Sequence, residues 1–496
     1  ETHVGGFLLT GPPATPEAQA VKSREDTHSR VRDSFRAYAA DIARRRKARR
    51  WYIQDLVRRY RFYSEPDAAV LEIGVGTGDL LASLRARRAV GIDISPDMLQ
   101  VAAAAHPELE LHELDAECPA HLGEPFDYVI LSDLTVHVHD VAAVFRNLHR
   151  YCHRRTRLLI NYHSRVWQPV LGALRLLGLH HPHARTNWLT TEDLTSLLWL
   201  SDFEVVKTDV STLLPAPVPA AGLVNRFGPR LPLLRKAALV NWIVARPAPR
   251  PVAAEELSVS VVVAARNEAG NIANIGDSVP AMGRHTELIF VEGASSDDTY
   301  ARIEREVAMQ RRSDLTVSGL RQTGTGKGDA VRVGFARAKG DVLMILDGDA
   351  TVSPADLPQF LEVIASEKAE FVNGSRLVYP MDDKAMRFLN VIGNKLFARI
   401  FSYLLGQPVK DTLCGTKVLH AHDYARIARG RSYFGDIDPF GDFDLLFGAS
   451  KLNLKITEIP VRYGNRTYGE TNINRFRDGA MLFRMSWFAL RRLKLI

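Results

Sequence analysis

Apolar residues along this chain fall into short runs separated by amphipathic stretches, and the runs have the length of strands. In the first half they are Ala69 to Ile73, Ala89 to Ile94, Tyr128 to Leu131 and Leu158 to Asn161, with a helix predicted over Leu80 to Arg87. A second series follows at Val259–Ala264, Leu288–Glu292 and Val342–Leu346. Strand–helix repetition of this kind predicts parallel sheets wrapped by helices. Before the first series, Val21 to Tyr63 is basic and carries Phe35, Tyr38, Trp51 and Tyr52 at helical spacing, which suggests helices covering a domain entrance. Between the two series the character changes, with eight prolines from Pro215 to Pro251. The expected fold class is α/β with two doubly wound domains. The expected division is a flexible arm over 1–20, a first domain with helical additions over 21–246, a linker over 247–256 and a second domain over 257–496.

Composition narrows the partners. With 496 residues, 46% hydrophobic and 24% charged, the chain is long enough for two cores and has a globular balance. The formal charge of +7 and the pI of about 9.2 favour anionic partners: nucleotides, phosphorylated substrates or an acidic membrane surface. Nucleic acid is not expected, since zinc-finger, RNP and basic-zipper signatures are missing. Cys118, Cys152 and Cys414 are too few and too scattered for a disulfide framework or a zinc site, so a reducing cytoplasm is the expected setting. Glu1 to Ala20 lacks the pattern of a signal peptide, and charges interrupt every long apolar run. Any membrane contact is therefore expected to be peripheral, at the cytoplasmic face. The closing segment Ala480–Ile496, apolar, aromatic and basic, suits a helix lying on an anionic membrane or one packed on the second domain.

In the first half the sequence Glu72-Ile-Gly74-Val-Gly76-Thr-Gly78 follows a strand and precedes a helix. Its glycines let backbone amides approach a ligand closely, beside a helix N-terminus. Alone it would also serve a dinucleotide. Asp93, ending the next strand, suits a ribose diol under either reading. Asp115 is placed to receive an adenine amino group. Together with the run Phe126-Asp-Tyr-Val-Ile-Leu-Ser-Asp-Leu-Thr-Val-His137, these motifs resemble the class I methyltransferases over roughly residues 50 to 210. The resemblance implies a Rossmann-like sheet, S-adenosylmethionine as cofactor, and transfer by in-line displacement at sulfur. His137 or His139 stands where that family lines its cleft, as a base for a hydroxyl or amine acceptor or as helix-start packing. His180, His181 and His183 read as a solvated loop, and the basic run Arg44–Arg50 as a solvated helix face.

In the second half Asp347-Gly-Asp349 directly follows the buried strand. Two carboxylates one residue apart at a rigid strand end can hold a hard divalent cation, which neutralises a departing diphosphate. Upstream lie Asn267-Glu268 and Glu292, each at a strand end, then the loop Gly324-Thr-Gly-Lys327-Gly-Asp329. That loop is no Walker A motif, because Gly328 follows the lysine where Ser or Thr is required. The order resembles the family-two glycosyltransferases of GT-A fold, over about residues 257 to 475. The resemblance implies a nucleotide sugar bound by Asn267, Glu268, Glu292, Lys327 and Asp347, Mg2+ or Mn2+ held by Asp347 and Asp349, and inverting transfer. It narrows to dolichol- and polyprenyl-phosphate sugar transferases through Asn373-Gly-Ser-Arg376, Asp411-Thr-Leu-Cys-Gly415-Thr-Lys417 and Arg466-Thr-Tyr-Gly-Glu-Thr-Asn472. In that family cations grip the acceptor and leaving phosphates, a role carried to Arg376, Lys417 and Arg466. A lipid phosphate needs no strong base; a soluble natural-product hydroxyl would, and Asp442 or Asp444 either supplies it or organises its loop. The expectation is a bifunctional transferase, UDP- or GDP-linked, with a lipid-phosphate acceptor. The alternative is a glycosyltransferase for a natural-product hydroxyl whose methyltransferase half is a binding or regulatory module.

Overall fold

The computed structural model describes residues 16–40, 42–176, 187–215, 218–310, 312–379, 388–434, 441–464, 466, 468 and 475–496. Each half builds one seven-stranded sheet. The first contains β1 (Ala69–Ile73), β2 (Arg88–Asp93), β3 (Glu110–Glu113), β4 (Phe126–Ser132), β5 (Cys152–His163), β6 (Phe203–Ser211) and β7 (Val240–Pro247). Its order is β3-β2-β1-β4-β5-β7-β6, parallel except for β7, which runs against both neighbours. The second contains β8 (Ser258–Ala265), β9 (His285–Glu292), β10 (Leu315–Arg321), β11 (Val342–Asp347), β12 (Phe371–Ser375), β13 (Lys417–His420) and β14 (Ile456–Pro460). Its order is β10-β9-β8-β11-β13-β12-β14, with β13 antiparallel. Both halves are therefore doubly wound α/β units. In each, the first strand lies between the second and the fourth, so the winding reverses there and opens a crevice at the carboxyl edge. The glycine turn follows β1, and Asp347 ends β11.

Local structure departs from the sequence pattern in places. Residues 16–20 belong to a helix, Pro16–Ala40, rather than to a loose arm, and Ile42–Tyr63 forms a second helix. The helix expected over Leu80–Arg87 is only Asp79–Ser83. Leu84 turns extended, and the Arg87 amide donates to Ala68 O at 2.9 Å, so the chain leaves early to line up with β1. The three histidines from His180 to His183 lie outside the described residues. Among the described residues no helix is long and apolar enough to cross a membrane.

The two halves share a core. One hydrophobic cluster includes Tyr60, Val70 and Trp242 from the first half and Val262, Phe401 and Phe447 from the second. Polar groups cross the same boundary in pairs, as burial requires. Arg157 on β5 donates to both oxygens of Glu370, at 2.6 and 2.7 Å, and its Nε donates to Asn453 O at 2.9 Å. Lys207 Nζ donates to Ser450 O at 2.8 Å, Asn453 Nδ2 to Tyr63 O at 2.8 Å, and Arg426 pairs with Glu65. The segment after β7 is docked too: Arg246 reaches Glu367 O and the Arg250 amide reaches the Glu367 carboxylate. The C-terminal helix Arg475–Ala489 buries Leu482, Met485 and Ala489, and Lys494 beyond it sits 3.5 Å from Asp209 of the first half.

Candidate functional sites at the two sheet edges

In the first half the turn after β1 is held open by backbone conformation. Gly74, Gly76 and Gly78 have φ of 76°, 55° and 73°, left-handed values that side chains resist. The Gly76 amide donates to Asp93 Oδ2 at 2.9 Å, and the Ser95 amide to Asp93 Oδ1 at 2.9 Å. These fix the carboxylate that ends β2 beneath the turn. Burial pushes the Asp93 carboxyl up, and the amides pull the other way. Glu72, on β1, is buried; desolvation raises its pKa well above the usual range, and its Oε2 has no hydrogen-bond partner. At Gly76 an added Cβ would meet only Met98 Cε at 3.7 Å, so there is room beside the turn. An unsatisfied buried carboxylate oxygen and an open glycine face fit a cofactor that brings a cationic or hydroxyl group to this turn.

The helix Pro16–Ala40 lies across this edge. Its Arg24 pairs with Asp115 at 2.5 Å and its His28 stands 3.6 Å from the same carboxylate. Despite burial, the Glu117 amide and Arg24 hold Asp115 below the ordinary carboxylate range. Asp115, the residue expected on the adenine side, is thus engaged from the N-terminal helix. His28 also contacts Glu117 at 3.3 Å, and Glu117 accepts from the His139 amide at 2.7 Å. His139 Nδ1 lies 3.4 Å from Thr27, and His137 packs its ring against Phe35 with centroids 5.3 Å apart. Both predicted histidines therefore face the helix.

A second polar group at this edge was not expected as a cluster. Asp133, just beyond β4 with φ 52°, accepts from Tyr52 OH at 2.9 Å and Asn161 Nδ2 at 2.8 Å. Tyr52 OH is also 3.3 Å from His163 Nε2, and Tyr60 OH donates to Asn161 Oδ1 at 2.6 Å. His163 is the last residue of β5, and its ring is partly exposed. The next residue after Asp133, Leu134, packs over Gly74, so the cluster adjoins the glycine turn. Tyr52, Asp133 and Asn161 each stand in segments the sequence marks out, but their meeting with one another and with His163 comes from the parallel register of β4 and β5.

In the second half Asp347 ends β11, and Lys327 Nζ lies 2.6 Å from its Oδ1. Burial raises this carboxyl, but Lys327, Lys417 and Arg376 outweigh it and hold it below the usual range. Gly415 abuts the same carboxylate so closely that a Cβ there would collide with both oxygens. Asp349 accepts from Thr351 Oγ1 at 2.8 Å and pairs with Arg466 Nη2 at 2.8 Å. The other arm of Arg466 meets Glu268 Oε1 at 3.2 Å. Glu268 also accepts from Asn271 at 2.6 Å, and its carboxyl is raised by burial despite Arg466. Asn267, at φ 57°, accepts from the Ser296 amide at 2.8 Å, while Glu292 accepts from the Ser295 amide at 2.5 Å. The loop after β9 is thereby laced to the ends of β8 and β9. The set of hard carboxylate oxygens at Asp347 and Asp349, with cations alongside, fits a divalent ion and a diphosphate.

The other predicted phosphate ligands are less free. Arg376 is clamped on Asp411, from Nε at 2.7 Å and Nη2 at 2.9 Å, and lies over the Tyr463 ring at 5.1 Å. Lys417 is buried and donates to Cys414 O at 2.5 Å. Both act on the site through their field on Asp347. Asp444 pairs with Arg431 at 2.6 Å. Asp442 begins the helix Asp442–Lys451, and its side chain is outside the described residues, as are residues 469–472 altogether.

Comparison with known proteins assigns the two halves. Residues 43–208 match the model of a methyltransferase domain, and residues 260–430 match that of glycosyl transferase family 2. The glycosyltransferase AglJ of Haloferax volcanii is 28% identical over 228 residues, covering 46% of this chain and 70% of the relative. A dolichyl-phosphate hexose transferase of the same organism is 28% identical, over 45% of this chain and 90% of the relative. Among solved structures, magnesium protoporphyrin IX methyltransferase of Synechocystis aligns with 45% of this chain and 100% of its own, at 18% identity and a TM-score of 0.33. The chain therefore carries a methyltransferase domain followed by a glycosyl transferase family 2 domain.

Proposed function

We propose that the first half transfers a methyl group from S-adenosylmethionine and that the second transfers a sugar from a nucleotide sugar to a polyprenyl-phosphate-like lipid. The observation that carries the second reading is the meeting of Asp347, Asp349, Lys327 and Arg466 at the carboxyl end of β11. Asp347 and Asp349 are the residues to hold Mg2+ or Mn2+, which when bound offsets the charge gathering on the departing diphosphate. Lys327 orients one face of that carboxylate pair. Arg466, joined through one nitrogen to Asp349 and through the other to Glu268, is placed to exchange a carboxylate for a phosphate oxygen. Asn267, Glu268 and Glu292 line the nucleotide side. The dolichyl- and undecaprenyl-phosphate acceptors named among the relatives support the lipid phosphate. So does the fixed ion pair of Asp444 with Arg431, which leaves that carboxylate poorly suited to deprotonate a hydroxyl.

In the first half Glu72, Asp93 and the glycine turn hold the cofactor. The acceptor is oriented by the Tyr52–Asp133–His163 cluster, with His163 as the proton-accepting group and Asp133 and Tyr52 setting its ring. Calorimetry with S-adenosylmethionine, UDP-sugars and GDP-sugars, Mn2+ present, tests both halves. Wild type should bind the methyl donor and one sugar nucleotide, and Asp349→Ala should lose only the latter. Failure of both ligands to bind would refute the bifunctional reading.

A further inference from the structure

The methyltransferase half carries an apolar surface that neither transferase site uses. Leu223, Phe227, Leu231, Leu233 and Leu234 are all exposed, Leu233 to 84%. They lie on the short helices Ala221–Phe227 and Pro232–Arg235 or, for Leu231, just before the second of them, between β6 and β7. Single exposed apolar side chains are ordinary, but a run of this density is not.

The patch extends in two directions. Trp167 Nε1 donates to Ala237 O at 2.9 Å, bringing in Val166 and Val170, both exposed one helical turn apart. On the other side Tyr403 OH donates to Arg230 O at 3.2 Å. Tyr403 lies on the helix Phe388–Leu405, whose face through Leu396 and Ile400 leads to the C-terminal helix, where Phe397 meets Phe483 at 5.0 Å. There Phe483 and Trp487 stand exposed, at 55% and 58%. Contacts through Tyr403 and Phe397 thus link the patch on the methyltransferase half to the exposed Phe483 and Trp487 of the glycosyltransferase half.

Its charge has one sign. No Asp or Glu occurs in residues 141–191, 210–254, 384–410 or 479–496, which supply all of these surface segments. Exposed cations fringe the stripe instead: Arg165, Arg226, Lys236, Lys395, Arg399 and Arg484. Apolar side chains set among exposed cations match the interface of an anionic bilayer, which takes up leucine and tryptophan and attracts lysine and arginine.

We infer that both halves dock together on an anionic phospholipid membrane, the methyltransferase half through Leu223–Leu234 and the other through Leu396, Phe483 and Trp487. This surface is distinct from both sheet edges and does not depend on either activity. The test is sedimentation of the full chain with phosphatidylcholine vesicles, with and without about one-third phosphatidylglycerol. Wild type should bind only the anionic vesicles, and less so as salt rises. The double substitutions Leu233→Glu/Leu234→Glu and Phe483→Glu/Trp487→Glu should each lower partitioning roughly tenfold or more, with thermal unfolding and ligand calorimetry unchanged. Three results overturn the inference: no vesicle binding by wild type, unchanged binding by the Leu233/Leu234 variant, or a wild-type dimer in gel filtration that this variant dissociates. The last would make the patch an interface between copies. Loss of calorimetric ligand binding with vesicle binding intact would instead strike the proposed activities alone.

Discussion

Glu370→Gln tests whether the two halves form one cooperative unit. Glu370 accepts both bonds from Arg157 Nη2, lies 3.5 Å from Arg246 Nη1, and accepts the Lys455 amide at 2.8 Å. Arg157 and Arg246 are both almost fully buried. Neutralising Glu370 leaves Arg246 with Glu204 but gives Arg157 no anion, only the amide oxygen of the substituted side chain and the carbonyl oxygens of Asn453, Arg155 and Thr156. Stranding a buried charge in this way costs about 3–5 kcal/mol. Unfolding entropy near 2.1 cal/mol/K per residue makes that a fall of about 3–5 °C if all 496 residues unfold together. It becomes about 6–10 °C if roughly 240 residues of the second half unfold alone. Because the hydrophobic cluster crosses the boundary, the smaller shift is expected, in a single calorimetric transition. Two separate endotherms in the wild type, or a shift below about 1 °C, would refute the reasoning.

Other outcomes follow from the sites. Asp349→Asn should weaken metal-dependent nucleotide-sugar binding by about 100-fold or more in calorimetry, with methyl-donor binding unchanged. Gly76→Val fills the open face of the turn and forces a branched side chain to φ 55°; cofactor binding should fall below detection in the same assay, with sugar-nucleotide binding intact. Glu72 is raised by burial, so its contribution to stability is fully present below its unfolded pKa of about 4.5 and is lost as pH rises through its folded value. Chemical denaturation of Glu72→Gln across that window should lack this decline. His163→Asn should cut the methyl-transfer rate by about 100-fold, while His137→Asn should change it far less.

Much of the fold could be read because its signals are local. A glycine turn, an acidic strand end and a D-x-D after an apolar run each declare themselves within a few residues, and the structure sets them at two sheet edges. What stayed hidden depends on residues far apart in the chain. Arg24 reaches Asp115 across 91 positions, and Arg157 reaches Glu370 across 213; no periodicity carries such pairings. The Asp133–His163 cluster arises from register between β4 and β5, which a single sequence does not encode visibly. Arg376 shows the converse. Its position in a family motif suggests a ligand contact, yet Asp411, from the neighbouring motif, already occupies its guanidinium. The early end of the helix at Ser83 likewise reflects a tertiary demand, the alignment of Arg87 with Ala68, over a propensity that favoured about one more turn.

The clamp of Arg157 on Glu370, set in a common core, has a kinetic meaning as well as a structural one. With the two sheets joined through that core, the two candidate edges keep a fixed separation, so under the proposed function neither half swings to deliver its product to the other. Any acceptor that visits both edges must travel that distance by its own diffusion. The interval between the two reactions would then depend on the mobility of the acceptor, and stiffening the protein further would leave it unchanged.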